Sequence, residues 1–185
     1  MNLLIKNVLL HDSIQDIFIQ KGLIDSIGQN LNCEAENVLD GTDKVAIPSF
    51  VNAHTHSAMT LMRSYADDME LHDWLENKIW PFEKNISEQD VYWATRLAII
   101  EMIKSGTTYF NDMYWHYPGT AQAVIDSGIH AHLSSAFIDL GDEETSKKQI
   151  EEQVKLFENR DQFSPNVTFS LGAHSLYTVL ESGLF

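Results

Sequence analysis

The rhythm of apolar and polar positions changes once along the chain. Over residues 1–47, stretches such as LLIKNVLLHD and SIQDIFIQKGLIDSIG interleave Leu, Ile and Val with polar residues, and Gly22, Gly28 and Gly41 punctuate them. That pattern predicts short strands joined by turns. Ile17–Ile24, broken at Lys21-Gly22, reads as a hairpin, and the acidic stretch Cys33–Asn37 reads as a loop. From Val45 the texture differs. VAIPSFVNAH reads as one apolar strand with Pro48 near its start, followed by a long segment of mixed polarity. Ser87-Glu88-Gln89-Asp90 then supplies an N-cap and an acidic first turn, close to a capping box. Val91, Ala94, Ala98 and Met102 share one helical stripe, which Leu97, Ile99 and Ile103 widen. Gly106 stands where a left-handed cap ends such a helix.

The cycle then repeats. TTYFNDM is β-branched and aromatic and reads as a strand. Thr120–Ser127 reads as a short helix closed by Gly128, and Ile129–Phe137 as a strand. Glu143–Asn159 reads as a charged helix with an Ile150, Val154, Phe157 stripe, and Val167–Leu171 as a further strand. Strands separated by helices in strict alternation predict a parallel α/β arrangement. Neither GxGxxG nor GxxxxGK[ST] occurs, which argues against a fold built to hold nucleotide phosphates. The leading architecture is a (β/α)8 barrel, yet that fold takes about 250 residues. The chain has 185. The expected organisation is a β-rich segment over 1–47 and the first βα units of a TIM-like barrel over 48–185, the N-terminal portion of a longer polypeptide.

Composition narrows the classes of partner. Hydrophobic residues make up 44%, enough to bury a core. Acidic side chains outnumber basic ones 27 to 12, a net charge of −15, which argues against nucleic acid and against an anionic membrane surface. The single cysteine, Cys33, excludes an internal disulfide framework and reads as a reduced thiol. MNLLIKNVLLHDS lacks a basic start, and its apolar run breaks at Asn7, so it does not read as a signal peptide. No window reaches the ~18 apolar residues of a membrane helix. The expectation is a soluble, cytoplasmic protein.

Candidate chemistry lies in the histidines. His54-Thr55-His56 and His130-Ala131-His132 each place two imidazoles on one face of a strand. His54 and His56 close the strand FVNAHTH, at the end where barrel enzymes build active sites, whereas His130 and His132 open theirs. Two neutral imidazoles suit Zn²⁺ and, with lower preference, Fe²⁺, Co²⁺ or Mn²⁺. The other reading is two strand-end histidines bonded to loop backbone. Catalytic zinc takes about three protein ligands. The best-placed further candidate is His174, in LGAHSLYTV after the last strand, as a ligand, a substrate contact or a solvated loop residue. Glu83 in IWPFEK reads from spacing alone as a surface carboxylate. Asp112 reads best as a carboxylate holding loop backbone or a neighbouring His, and Asp67-Asp68-Met69-Glu70 as a solvated loop.

Four stretches together carry a resemblance: Pro48–His56, Met59–Asp68, Trp74–Glu83 and Glu101–Tyr114, with LGAHSLYTV as a fifth. They resemble the "PGFVNAHTH", "MTLLRGYADD", "WLxxxIWPxE", "EMxxSGTTxFxDMY" and "xxHxPYTVS" motifs of the amidohydrolase superfamily. The similarity is narrowest to its S-adenosylhomocysteine/5′-methylthioadenosine deaminase and chlorohydrolase-like (triazine hydrolase) branch. The resemblance implies a metal-dependent aminohydrolase that releases ammonia from an adenosine-type nucleoside. His54 and His56 would be the first two ligands of one divalent metal, zinc ahead of iron. Glu83 would reach the ribose hydroxyls and His174 the heterocycle. Residues 1–47 would form part of a small β-sandwich. The remaining His and Asp ligands and the proton-shuttling Glu would lie beyond Phe185, so no catalytic group falls within the chain itself.

Departures from the motifs bear on the substrate. Ser49 replaces the glycine before the metal strand, and Leu176 the proline of the last motif. Where nucleoside-deaminating members carry arginines for an amino-acid tail, this chain has Ser134-Ser135 and Lys147-Lys148-Gln149. A methylthioadenosine, adenosine or other aminated heterocycle therefore fits as well as S-adenosylhomocysteine. The alternatives are a guanine deaminase, a triazine-type chlorohydrolase, or a truncated chain without activity. A homo-oligomer is compatible with all of these. A partial barrel would expose strand edges and uncovered helix faces and be unstable or self-associate.

Overall fold

The structure, a computed structural model, describes residues 2–184. It divides into two compact units, Met1–Pro48 and Ser49–Phe185. In the first unit, β1 (Asn2–Leu10), β2 (Ser13–Gln20) and β3 (Leu23–Gly28) form an antiparallel meander. Two short strands, β4 (Asn37–Asp40) and β5 (Val45–Ala46), run parallel to β1. The β2–β3 turn passes through Lys21 at φ 53° and Gly22 at φ 78°. Two consecutive left-handed residues are what a type I′ hairpin turn requires, and glycine takes the second without steric penalty. Leu4, Val8, Ile17 and Phe18 make the core. The β1–β2 register slips between Ile5 and Val8, and the carboxylate of buried Asp16 accepts the Asn7 backbone N–H at 2.9 Å. It also accepts the Leu31 N–H at 3.0 Å, so a bulge and a loop are both satisfied by one side chain.

VAIPSFVNAH is not one strand. β5 ends at Ala46 and pairs with β1, whereas β6 (Phe50–Thr55) pairs with β7 (Thr107–Tyr114) in a different sheet. The break falls at Ile47-Pro48-Ser49, where proline has no N–H to donate to a ladder.

In the second unit β6, β7, β8 (His130–Ser135) and β9 (Val167–Phe169) form a parallel sheet in sequence order. Helices connect them: α3 (Glu88–Lys104) before β7, α4 (Tyr117–Ser127) before β8 and α5 (Glu143–Glu158) before β9. The segment between β6 and α3 holds a 3₁₀ turn over Ser57–Met62, then α1 (Leu71–Trp74), a π turn over Leu75–Ile79 and α2 (Trp80–Glu83). One buried cluster joins α3, α4 and the sheet through Ile99, Phe110, Val124, Ala131 and Leu133. A second joins Ala58, Met62, Ile79, Val91, Ala94 and Tyr114. Removing a fully buried ring such as Phe110 would cost about 3–5 kcal/mol, a large share of a domain's net stability.

α3 begins as its sequence dictates. The Ser87 hydroxyl accepts the Asp90 N–H at 3.2 Å, and the Asp90 carboxylate accepts the Ser87 N–H at 2.8 Å. α4 starts at Tyr117, three residues before the expected Thr120, because Pro118 suits a first turn. Its Gly119 is forced by packing: a Cβ there would lie 2.5 Å from the Glu88 carbonyl oxygen. The apolar stripes are narrower than the pattern suggests. Leu97 and Ile103 of α3 are exposed, as are Val154 and Phe157 of α5. α5 instead buries Ser146 and Gln153. Its glutamines dock it to the end of β8: Gln153 Nε2 donates to the Ser135 carbonyl at 2.7 Å, and Gln149 Oε1 accepts the Ile138 N–H at 2.8 Å.

Candidate active site

The C-terminal end of β6 carries His54 and, one residue past the strand, His56. Their ring centroids are 5.2 Å apart with planes inclined at 79°. The β6–β7 ladder is interrupted between Asn52 and Thr55, and Asn111 Nδ2 donates to the Ala53 carbonyl at 3.2 Å in its place. His54 is exposed and His56 half-buried. His56 Nδ1 lies 2.7 Å from the Met113 carbonyl oxygen. A carbonyl only accepts, so Nδ1 carries the proton and the Nε2 lone pair is left outward, the arrangement that orients imidazoles toward metals. The donor set fits a divalent cation in type and spacing. It does not complete a shell: among the described residues no group of three His, Cys, Asp or Glu side chains could hold a metal.

Asp112, the residue before Met113, is 2% exposed. Its carboxylate accepts the Ser57 backbone N–H at 3.1 Å and also the Ser57 hydroxyl, which in turn lies 3.1 Å from Thr95 Oγ1. Burial pushes the Asp112 carboxyl above its ordinary range, with the Ser57 donors and the nearby His56 acting the other way. Adjacent residues of β7 thus hold adjacent residues after β6: Met113 takes His56, and Asp112 takes Ser57.

The next two residues reach α2. The ring of Tyr114 lies 6.4 Å from that of His56, and its buried hydroxyl stands beside Glu83. Burial, and then the nearby Glu83 charge, hold that phenol well above its usual range. The Trp115 indole N–H donates to Glu83 Oε2 at 3.1 Å. Glu83, half-buried at the end of α2, therefore joins the same strand end as His56. Both Glu83 and Trp115 line a cleft of about 920 Å³ with Trp80, Tyr117, Leu156 and Phe163.

His174 sits apart. It is exposed after β9, its N–H donates to the Phe137 carbonyl at 3.1 Å, and its Nδ1 lies 2.9 Å from Thr178 Oγ1. Among the described residues no hydrogen bond joins it to His54, His56 or Glu83. Asp139 pins the segment, accepting backbone N–H groups of Gly141 at 2.9 Å and Leu180 at 3.0 Å. His132 bonds Thr168 on β9 at 2.8 Å, a contact within the sheet, and Asp67, Asp68 and Glu70 are exposed. Spacing gave no sign of Met113, Trp115, Thr178 or Asp139, because their partners lie far away in sequence or use backbone atoms.

A parallel βα sheet with paired histidines leaving its first strand is a hydrolase-barrel arrangement, and residues 45–184 match the amidohydrolase family. The chain belongs to that family. The 5-methylthioadenosine/S-adenosylhomocysteine deaminase of Thermococcus sibiricus is 44% identical over 185 residues, spanning 96% of this chain and 44% of the relative. The 5′-deoxyadenosine deaminase of Methanocaldococcus jannaschii is 44% identical over 183 residues, spanning 95% and 43%. An adenosine deaminase from Xanthomonas campestris, solved with bound zinc, superposes with a TM-score of 0.82 at 27% identity over 98% of this chain and 44% of its own. The chain thus spans less than half the length of these relatives. Among the described residues no helix is long and apolar enough to cross a membrane.

Proposed function

We propose that this chain serves in a metal-dependent aminohydrolase that releases ammonia from an adenosine-type nucleoside. The observation that carries the reading is the His54/His56 pair, with His56 Nδ1 engaged by the Met113 carbonyl and Nε2 left free beside His54. The names of two relatives at 44% identity, both deaminases of adenosine derivatives, support the substrate class. Zinc is the favoured metal, by ligand chemistry and by the zinc in the Xanthomonas structure. A divalent ion at such a site supplies Lewis acidity and lowers the pKa of water toward neutrality.

In this reading the chain's own residues bind and orient. His54 and His56 contribute two imidazole nitrogens, and Met113, with Asp112 acting through Ser57, keeps His56 in place. Glu83 accepts ribose hydroxyls, and His174 contacts the base from the segment pinned by Asp139. Held reactants lose translational freedom before the chemistry, which is where much of the acceleration arises. The net charge of −15 argues against a nucleic acid partner.

In the protein that carries this chain, His54→Ala removes bound metal and deaminase activity together. Metal analysis with an ammonia-release assay checks this, and retention of both overturns it. Glu83→Ala weakens nucleoside binding with the metal still bound; metal loss there would reassign Glu83.

A further inference from the structure

Four consecutive residues at the end of β7 touch both halves of the candidate site. Asp112 and Met113 hold the segment at His56, while Tyr114 and Trp115 stand against Glu83. Trp115 is half-buried, and His116 after it turns sharply through φ 54° into α4, so the indole is held between a strand end and a helix start. Its N–H meets one carboxylate oxygen of Glu83, Oε2, at 3.1 Å. The buried Tyr114 phenol also stands beside that carboxylate, and the Glu83 side chain borders the 920 Å³ cleft, whose lining does not include His54, His56 or His174.

We propose that Trp115 is a positioning residue for ribose recognition: its indole N–H fixes the Glu83 carboxylate through Oε2 and so presents Oε1 to the vicinal hydroxyls of the nucleoside. This rests on the reading of Glu83 as the ribose ligand. A carboxylate at the end of a flexible side chain samples many rotamers, and each hydroxyl bond it makes must overcome that freedom. Tying one oxygen to a donor that makes no other bond removes the freedom before substrate arrives, and the gain is felt only by ligands that carry the diol.

The test uses the protein that carries this chain, with 5′-methylthioadenosine and an analogue lacking the 2′- and 3′-hydroxyls. Trp115→Phe keeps an aromatic ring and removes the N–H. It raises KM for the ribonucleoside about tenfold, the scale of one hydrogen bond to a charged group, with kcat and metal content unchanged. With the diol-free analogue it changes nothing. Equal losses on both substrates, no loss on either, or loss of metal would each overturn the proposal. Glu83→Gln in parallel separates the two readings. If it discriminates between the substrates and Trp115→Phe does not, the positioning role fails alone. If it does not discriminate, the ribose role of Glu83 fails and the proposal with it.

Discussion

Asp112 shows how much one buried side chain can hold. Its carboxylate takes both the N–H and the hydroxyl of Ser57, the residue that follows His56, at a place 2% exposed. Replacing it by alanine strands those donors, which costs about 1–3 kcal/mol for a buried unpaired group. Asp112→Ala should lower the urea midpoint accordingly and weaken metal binding indirectly, by loosening the Ser57 backbone next to His56. An unchanged midpoint and affinity would show that Ser57 finds other partners. At this scale the sequence was partly legible. His54 and His56 stand out because strand period puts both on one face, and Asp112 because it ends a strand. Glu83 emerges only through resemblance, since nothing in IWPFEK sets it apart from a surface carboxylate. Trp115 does not emerge at all: its partner is 32 positions away, and no local period encodes that meeting.

α3 is the element that its own sequence specifies most fully. Ser87 and Asp90 cap it reciprocally, and Val91, Ala94, Ala98 and Met102 turn one face inward. Ser87→Ala should cost about 1 kcal/mol, read from a thermal or denaturant melt. The Ser87 hydroxyl and backbone N–H hold the Asp90 carboxyl below its usual range, so the folded state favours the ionised form. That contribution is present above the unfolded carboxyl value of about 3.9 and disappears as pH falls through the lower folded value. The stability difference between Ser87→Ala and the parent should therefore shrink in acid; a gap that widens as pH falls would contradict the cap. Other elements were hidden. α1, the π turn and α2 lie in the stretch read only as one of mixed polarity, although Leu71, Trp74, Leu75, Ile79 and Phe82 keep a helical spacing. In α5 the Ile150, Val154, Phe157 stripe misled, because that helix docks through amide side chains rather than through its most apolar face.

On the scale of the whole chain, the alternation of strand and helix foretold the parallel sheet and its order. It could not foretell the passage from one sheet to another at Pro48, since both sides of that proline are equally apolar. β6 and β9 each pair with one neighbour in the sheet, and Phe50 and Val51 on β6 are 58% and 62% exposed. Trp93, Leu97 and Ile100 add an apolar row on α3. Exposed edges and apolar surface of this kind drive association. Expressed as these 185 residues alone, the chain should self-associate despite its −15 charge, as light scattering after gel filtration would reveal. A monomer with a sharp, cooperative melt would contradict this.

The π turn at Leu75–Ile79 carries one more residue than an α turn of the same helix would. Losing one residue there would restore regular pitch but rotate everything before it by about 100° relative to Glu83. Trp74 and Leu75 would leave the packing they now share with Ile79 and Phe82. A deletion of one codon in this stretch therefore turns Trp74 and Leu75 away from Ile79 and Phe82 rather than shortening a loop, so the packing beneath Glu83 depends on that one extra residue.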